Sequence, residues 1–266
     1  MLETIQVEKI TFSPSELRKK EHGSVICYPG TNLESFDSRI EQLEKLRVRK
    51  LIFEGSSKVG KYGIIGRGCV STVVKAKLRS REEIVALKIR RVDANRVDMK
   101  RDYELQQFAN SLGVGPRAIA ASEDLFAMEY IDSIRLGKWF EKLKTRTSKK
   151  YTRTLIRNAL EQCYLLDANG LDHGELSNPT KHLLIRNSPN AETVIIDYES
   201  ASRERRVANL TAVIQFFFLG GWQSEKIRKI LGISRFSKKK FILLLQEYKK
   251  KPTKDSLEKI LEFVRC

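Results

Sequence analysis

Four places in the chain carry side chains that could do chemistry together. Gly66 and Gly68 sit in GRGCVSTVVKA, between two apolar runs. Closely spaced glycines let a backbone approach a phosphate and tolerate special dihedrals, although the same residues also make a tight hairpin turn. No GK[ST] follows, so this is not a Walker loop. Lys88 lies inside the apolar run IVALKIRR, where an ammonium could meet a phosphate or simply mark an edge strand. Glu104, downstream on a helical stretch, could pair with it. The loop LDHGELSNPTKHLLI gathers His173, Glu175, Asn178, Lys181 and His182. Asp197 ends the β-branched run VIID, either as a turn-initiating aspartate or as a hard oxygen ligand of the kind Mg²⁺ takes beside phosphates.

Those residues must be held by two kinds of element. KLIFEG, KYGIIGRG, STVVKAKL and EIVALKIRR are short, β-branched and separated by Gly or charged turns, and read as strands. A helix is expected from Val97 to Leu112, then two strands around a turn at Ser122–Asp124. After Asp132 the chain turns mainly helical, with segments at Leu136–Leu143, Thr154–Asn169, Arg206–Leu219, Ser224–Leu231, Ser237–Lys249 and Lys254–Val264. A hairpin turning at Ser188–Asn190 interrupts them. Before Lys50, Ser13, Pro14 and Glu16 form a capping-box pattern. Leu33, Phe36, Ile40, Leu43 and Leu46 follow at helical spacing, and YPGTN reads as a turn. The expected fold class is α+β. Residues 1–49 form an N-terminal helical extension or accessory region, 50–131 a strand-rich part, and 132–266 a helical part. A hinge is expected near Glu129–Asp132, and a cleft between two such parts is a natural ligand site.

With 50 Lys and Arg against 33 Asp and Glu, the formal charge is +17. Such a field attracts anions such as RNA, DNA, acidic proteins, membrane surfaces or phosphorylated small molecules, without choosing among them. The basic clusters are Lys142–Arg153, Arg203–Arg206, Lys238–Lys240 and Lys249–Lys251. Each alone suits a solvated helix face; several on one face would make a phosphate footprint. Cys27, Cys69, Cys163 and Cys266 contain no CxxC pair, which argues against zinc. Nothing reads as a signal peptide, and the longest apolar run, Ala212–Trp222, is too short to span a bilayer. A cytoplasmic protein without membrane insertion is expected. Gln223–Phe241 has a helix-turn-helix rhythm that helical hairpins share. Phe216, Phe217 and Phe218 are consecutive in a helix and cannot all face one ligand, so core packing accounts for them.

In order, the four chemical features resemble the protein-kinase superfamily over about Lys50–Leu219. The closer similarity is to the small atypical kinases of the RIO type, and among these to a group of archaeal predicted serine/threonine kinases. GRGCVSTVV resembles the Gly-rich loop with Ser71 at its third glycine, VALK the nucleotide-lysine strand, FAMEYI the hinge, HGEL the HGDL catalytic loop and IDYE the DFG segment. The resemblance implies a two-lobed fold with a small, mostly-β N-lobe and a helical C-lobe. It assigns nucleotide contacts to Gly66, Gly68, Ser71, Val73, Ala86, Lys88, Glu104, Met128, Glu129 and Tyr130. Catalysis falls to Glu175, Lys88 and His173. Metal binding falls to Asp197, with His182 or Asn178 as the second ligand, and Asn209 is a candidate stabiliser. The cofactors implied are ATP and Mg²⁺ or Mn²⁺, and the acceptor is a protein or small molecule.

Glu175 stands where that family has aspartate, the usual metal-binding asparagine is missing at its normal spacing, and there is no APE segment. Those departures leave three alternatives. One is an ATPase, and another is a small-molecule kinase. The third is a catalytically weak pseudokinase, acting as a nucleotide-responsive module for a protein, RNA or ribosomal partner.

Overall fold

The computed structural model describes residues 9–19, 23, 25–30, 33–80, 82–143, 148–233 and 236–266. The chain divides into two compact units. The first is Met1–Gln107 with Arg117–Tyr130, and the second is Phe108–Pro116 with Ile131–Cys266.

The first unit is built on antiparallel strands. Its elements run β1 (Ile10–Phe12), α1 (Pro14–Leu17), α2 (Leu33–Lys45), β2 (Val48–Phe53), β3 (Ser57–Val59), β4 (Tyr62–Ile64), β5 (Gly66–Arg67), β6 (Ser71–Leu78), β7 (Ile84–Arg90), α3 (Lys100–Ser111), β8 (Ala118–Ala121) and β9 (Leu125–Glu129). The main sheet has the order β1-β2-β6-β7-β9-β8, with β5 added beside β6. Alternation along β6 and β7 gives the sheet two different faces. One face carries Val74, Ala76, Val85, Leu87 and Ile89 into the principal core. The segment before Lys50 helps to close that core. Leu17, Val25, Ile26, Cys27, Ile40 and Leu43 are buried there, and Phe36 and Leu46 pack alongside. The capping box forms as its pattern predicts. Glu16 N donates to Ser13 Oγ at 3.3 Å, and Ser13 N donates to Glu16 Oε2 at 2.7 Å. Of the expected YPGTN turn, Thr31 and Asn32 lie outside the described residues.

The second unit is mainly helical. It contains β10 (Ser133–Arg135), α4 (Leu136–Lys142), α5 (Lys149–Ala168), β11 (Leu183–Arg186), β12 (Thr193–Ile195), α6 (Asn209–Ile214), α7 (Gly221–Leu231), α8 (Lys238–Lys250) and α9 (Lys254–Phe263). β10, β11 and β12 make a small antiparallel sheet. Helix α5 is the axis of the unit, with Leu155, Ile156, Ala159, Leu160, Cys163 and Leu166 fully buried. It starts earlier than its apolar periodicity suggests because Ser148 caps it, accepting from Tyr151 N at 3.3 Å. After α6 the chain widens into a π-helical turn, Gln215–Leu219. Phe217 and Phe218 are in the core, and Phe216 packs against Phe140. Ile227 and Leu231 of α7 and Phe241 and Leu245 of α8 are buried, so one apolar side of each helix in the helix-turn-helix-like stretch faces the core, while Trp222, Ile242 and Leu243 are exposed. Residues 234–235, inside that stretch, and 144–147, inside one basic cluster, lie outside the described residues. Together the units make an α+β protein. Among the described residues, no helix is long and apolar enough to cross a membrane.

Candidate functional site

In the first unit, the face of the sheet opposite the principal core gathers most of the residues proposed to meet a nucleotide. The register pairs Val73 with Lys88, Lys88 with Phe126, and Ala86 with Met128. These side chains therefore share one face. Ala86, Phe126, Met128 and Met99 form a second apolar cluster, with Ile65, Val73, Tyr103 and Tyr130 packed on it. Lys88 is only 5% exposed beside this cluster. Lys75, on the same face of β6, meets Glu54 Oε1 at 2.5 Å and lies 4.4 Å from the centre of the Tyr130 ring. The hairpin turn between β5 and β6 closes through Gly68 N donating to Ser71 O at 2.8 Å. Arg91 Nη1 donates to the Gly68 carbonyl at 3.0 Å. Neither Gly66 nor Gly68 has a positive φ, so the turn does not use the special dihedrals expected of them. At the expected hinge, Glu129 N donates to Arg117 O at 2.9 Å, committing that amide to the chain beside it.

Glu104 is not the partner of Lys88. It is exposed, and its carboxylate lies 4.0 Å from Lys100 one helical turn away. An acid that does face Lys88 is Asp102, whose Oδ2 is 3.7 Å from Nζ, and the Arg96 guanidinium holds the other oxygen. The phase of α3 explains the correction. Its buried positions are Asp102, Leu105, Gln106 and Ala109, spaced i, i+3, i+4 and i+7, and Glu104 falls off that stripe. An acid in register with the apolar residues was the available signal. The network continues inward, since Arg90 donates to the Arg96 carbonyl and to Asp124. Asp124 in turn accepts from Arg39 and Gln42 of α2.

In the second unit, the HGEL loop and the end of β12 are tied together. The His173 ring nitrogen Nε2 lies 3.0 Å from the Ile196 carbonyl. A carbonyl only accepts, so Nε2 carries the proton. Burial lowers the His173 pKa to about 4, which keeps the ring neutral. The next residue, Asp197, has φ 76° and ψ 72°. A non-glycine residue in that region marks a position the surroundings over-determine, and such positions cluster at functional sites. Glu175 is held at both oxygens. Ser200 Oγ donates to Oε1 at 2.6 Å, and His182 Nε2 lies 2.8 Å from Oε2. Asn209 anchors the loop, with its Oδ1 accepting from His173 N at 2.8 Å and its Nδ2 donating to Leu171 O at 2.7 Å. Sequence reasoning missed the acid behind Asn209. Asp167 accepts from Asn209 N, Asn209 Nδ2, Leu210 N and the Tyr248 hydroxyl. Burial is the largest influence on it and raises its pKa to about 6 against those four donors.

The two proposed second metal ligands are committed elsewhere. His182 faces Glu175, and Asn178 Oδ1 accepts from Thr180 Oγ1 at 2.6 Å. Among the described residues no group of three or more His, Cys, Asp or Glu side chains is arranged to hold a metal ion. An all-protein cage is therefore not the chemistry on offer here. A carboxylate such as Asp197, completed by phosphate oxygens and water, still fits the way Mg²⁺ is usually held.

Gly174 is the residue on which this loop turns. Its φ is +89°, and an added Cβ would lie 2.8 Å from the Ser200 carbonyl and 2.4 Å from Arg205 Nη2. Gly174→Ala is expected to lower stability by about 2 kcal/mol through backbone strain. It should also displace Glu175. A thermal melt compared with Gly170→Ala, whose added Cβ would meet nothing within 4 Å, separates the contact from the strain that any positive φ imposes.

No protein-family model matches the chain, and no curated protein matches its sequence.

Proposed function

We propose that the chain is an atypical, cytoplasmic kinase that transfers phosphate from ATP to a serine or threonine hydroxyl. The observation that carries this reading is the His173 pin, which ties the loop presenting Glu175 to the strand end presenting Asp197. In the first unit, Val73, Ala86, Met128 and Tyr130 supply an apolar surface of the kind a purine takes, and Lys88 supplies a cation beside it. Asp197 would hold a divalent metal, which neutralises phosphate charge when bound. Glu175 would accept or orient the acceptor hydroxyl, its longer side chain steadied by Ser200 and His182. His173, Asn209 and Asp167 position these groups without touching the reacting atoms. The four cysteines are free thiols, in keeping with a reducing compartment.

The test is transfer and hydrolysis from γ-labelled ATP with Mg²⁺ and Mn²⁺ in parallel. Turnover should be present in the wild type and lost in Asp197→Ala. Undiminished turnover in the variant would overturn the role given to Asp197.

A second reading rests on one observation. Both Glu175 oxygens already have partners, so the carboxylate could be structural in a nucleotide-responsive binding module. ATP binding without turnover under either metal would favour it.

A further inference from the structure

The short segment between Asp197 and α6 is clamped to the loop that carries Glu175. Asp172 and Ser202 exchange backbone hydrogen bonds at 2.9 and 2.8 Å. Asp172 also accepts from Arg205 Nε at 3.0 Å and from Ala208 N at 3.2 Å. Arg205 Nη2 donates to the carbonyl of Ser200, whose hydroxyl holds Glu175. With Arg205 engaged by Asp172 and the Ser200 carbonyl, its neighbours have other contacts. Arg203 lies over the Phe108 ring, 4.2 Å from its centre. Arg206 Nη2 donates to the Lys249 carbonyl at 3.3 Å. That bond brings the basic segment 203–206 onto the C-terminal end of α8, where Lys249, Lys250 and Lys251 are exposed. Two basic clusters separate in sequence thus become one cationic surface, attached through Arg205 to the loop that bears Glu175.

We propose that this surface, Arg203 and Arg206 with Lys249–Lys251, docks an acidic peptide segment and so selects serine or threonine acceptors flanked by carboxylates. The proposal rests on the phosphotransferase reading and names its substrate class. A guanidinium presents a fork of donors that matches a carboxylate in two parallel bonds, and the contacts described leave most of that fork available on Arg203 and Arg206. A nucleic-acid backbone fits less well, because it calls for a track of cations along successive phosphates. Here Glu204 interrupts the run.

The experiment is fluorescence anisotropy with a labelled peptide carrying one serine among aspartates and glutamates. A lysine-flanked peptide and a single-stranded RNA of equal charge serve as comparisons. Wild type should bind the acidic peptide in a salt-sensitive way and ignore the lysine-flanked one. The double variant R203E/R206E should weaken binding by about tenfold or more, as expected for reversing charges at an electrostatic interface. The control K238E/K239E, at the other end of α8, should bind as wild type does. Circular dichroism melts establish that each variant is folded. Absent binding of the acidic peptide, binding unchanged in R203E/R206E, equal binding of the lysine-flanked peptide, or tighter RNA binding with the same residue dependence would each overturn the proposal. Binding of ATP to the wild type is measured separately. Its absence would sink the phosphotransferase reading, while the peptide result would stand on its own.

Discussion

On the proposed phosphotransferase reading, Asp102→Asn should cost ATP-dependent transfer about 100-fold, whereas Glu104→Gln should leave it within about twofold. The first figure follows from what Asp102 faces. Its carboxylate is 2% exposed and meets both Lys88 and Arg96. Taking one charge out of a buried pair costs about 3–5 kcal/mol, because the remaining charge keeps its desolvation cost. Part of that falls on folding and part on the geometry of the Lys88 ammonium. Glu104 is on the solvent side, with an ion pair to Lys100 of the kind that contributes little. Kinetics divides the two roles. If Asp102 only supports the fold, its variant should lose stability in a melt while the KM for ATP at a permissive temperature stays unchanged. If it positions Lys88, the KM for ATP and kcat should both move, and Asp102→Glu should recover part of the loss. Equal effects from the Asp102 and Glu104 variants would remove Asp102 from the site.

Much of the framework was legible because it depends on local signals. Ser13, Pro14 and Glu16 announce a helix start, and the spacing of Ile40 and Leu43 announces the face that α2 buries. The β-branched runs of β6 and β7 give their own alternation, which puts Ala86 and Lys88 on one side of β7, while the register that adds Val73 to that face is set by the pairing of the two strands. What was not legible depends on phase and on distant partners. A shift of two residues along α3 exchanges Asp102 for Glu104, and sequence order alone does not show which of the two the helix turns inward. The short strands β1, β3 and β10 have three residues each, too few for a period to show. Residues 108–116 were assigned to the strand-rich part but group with the helical unit, although α3 runs through the boundary without a break. Asp167 is an acid near the end of an apolar helix, and nothing local marks it. Its four donors come from Asn209, Leu210 and Tyr248, which are far away in sequence. The partners of the two proposed second metal ligands were not legible for a related reason. His182 and Asn178 have suitable donor atoms, but the fold gives His182 to Glu175 and Asn178 to Thr180.

The second unit should show a pH dependence of stability that cancels in the wild type and appears in single variants. His173 and Asp167 are both buried, and their shifts have opposite consequences. The folded pKa of His173 is depressed from 6.5 to about 4, so the unfolded chain binds a proton that the folded one refuses. Its contribution is fully present above pH 6.5 and is lost as pH falls through about 4, by about 3 kcal/mol. The folded pKa of Asp167 is raised from 3.8 to about 6, so the folded chain keeps a proton that the unfolded one releases. Its ionisation penalty is absent below pH 3.8 and grows to about 3 kcal/mol as pH rises through 6. Between pH 4 and 6.5 the two slopes oppose each other. His173→Gln removes the first and should leave a protein that gains stability on mild acidification. Asp167→Asn removes the second and should leave one that loses stability there. Urea unfolding of the three proteins at pH 4, 5, 6 and 7 reads all of this. Parallel pH profiles for wild type and both variants would mean that neither group titrates across folding. The positioning of the Glu175 loop would then have to be explained without a buried neutral His173 and an ionised Asp167.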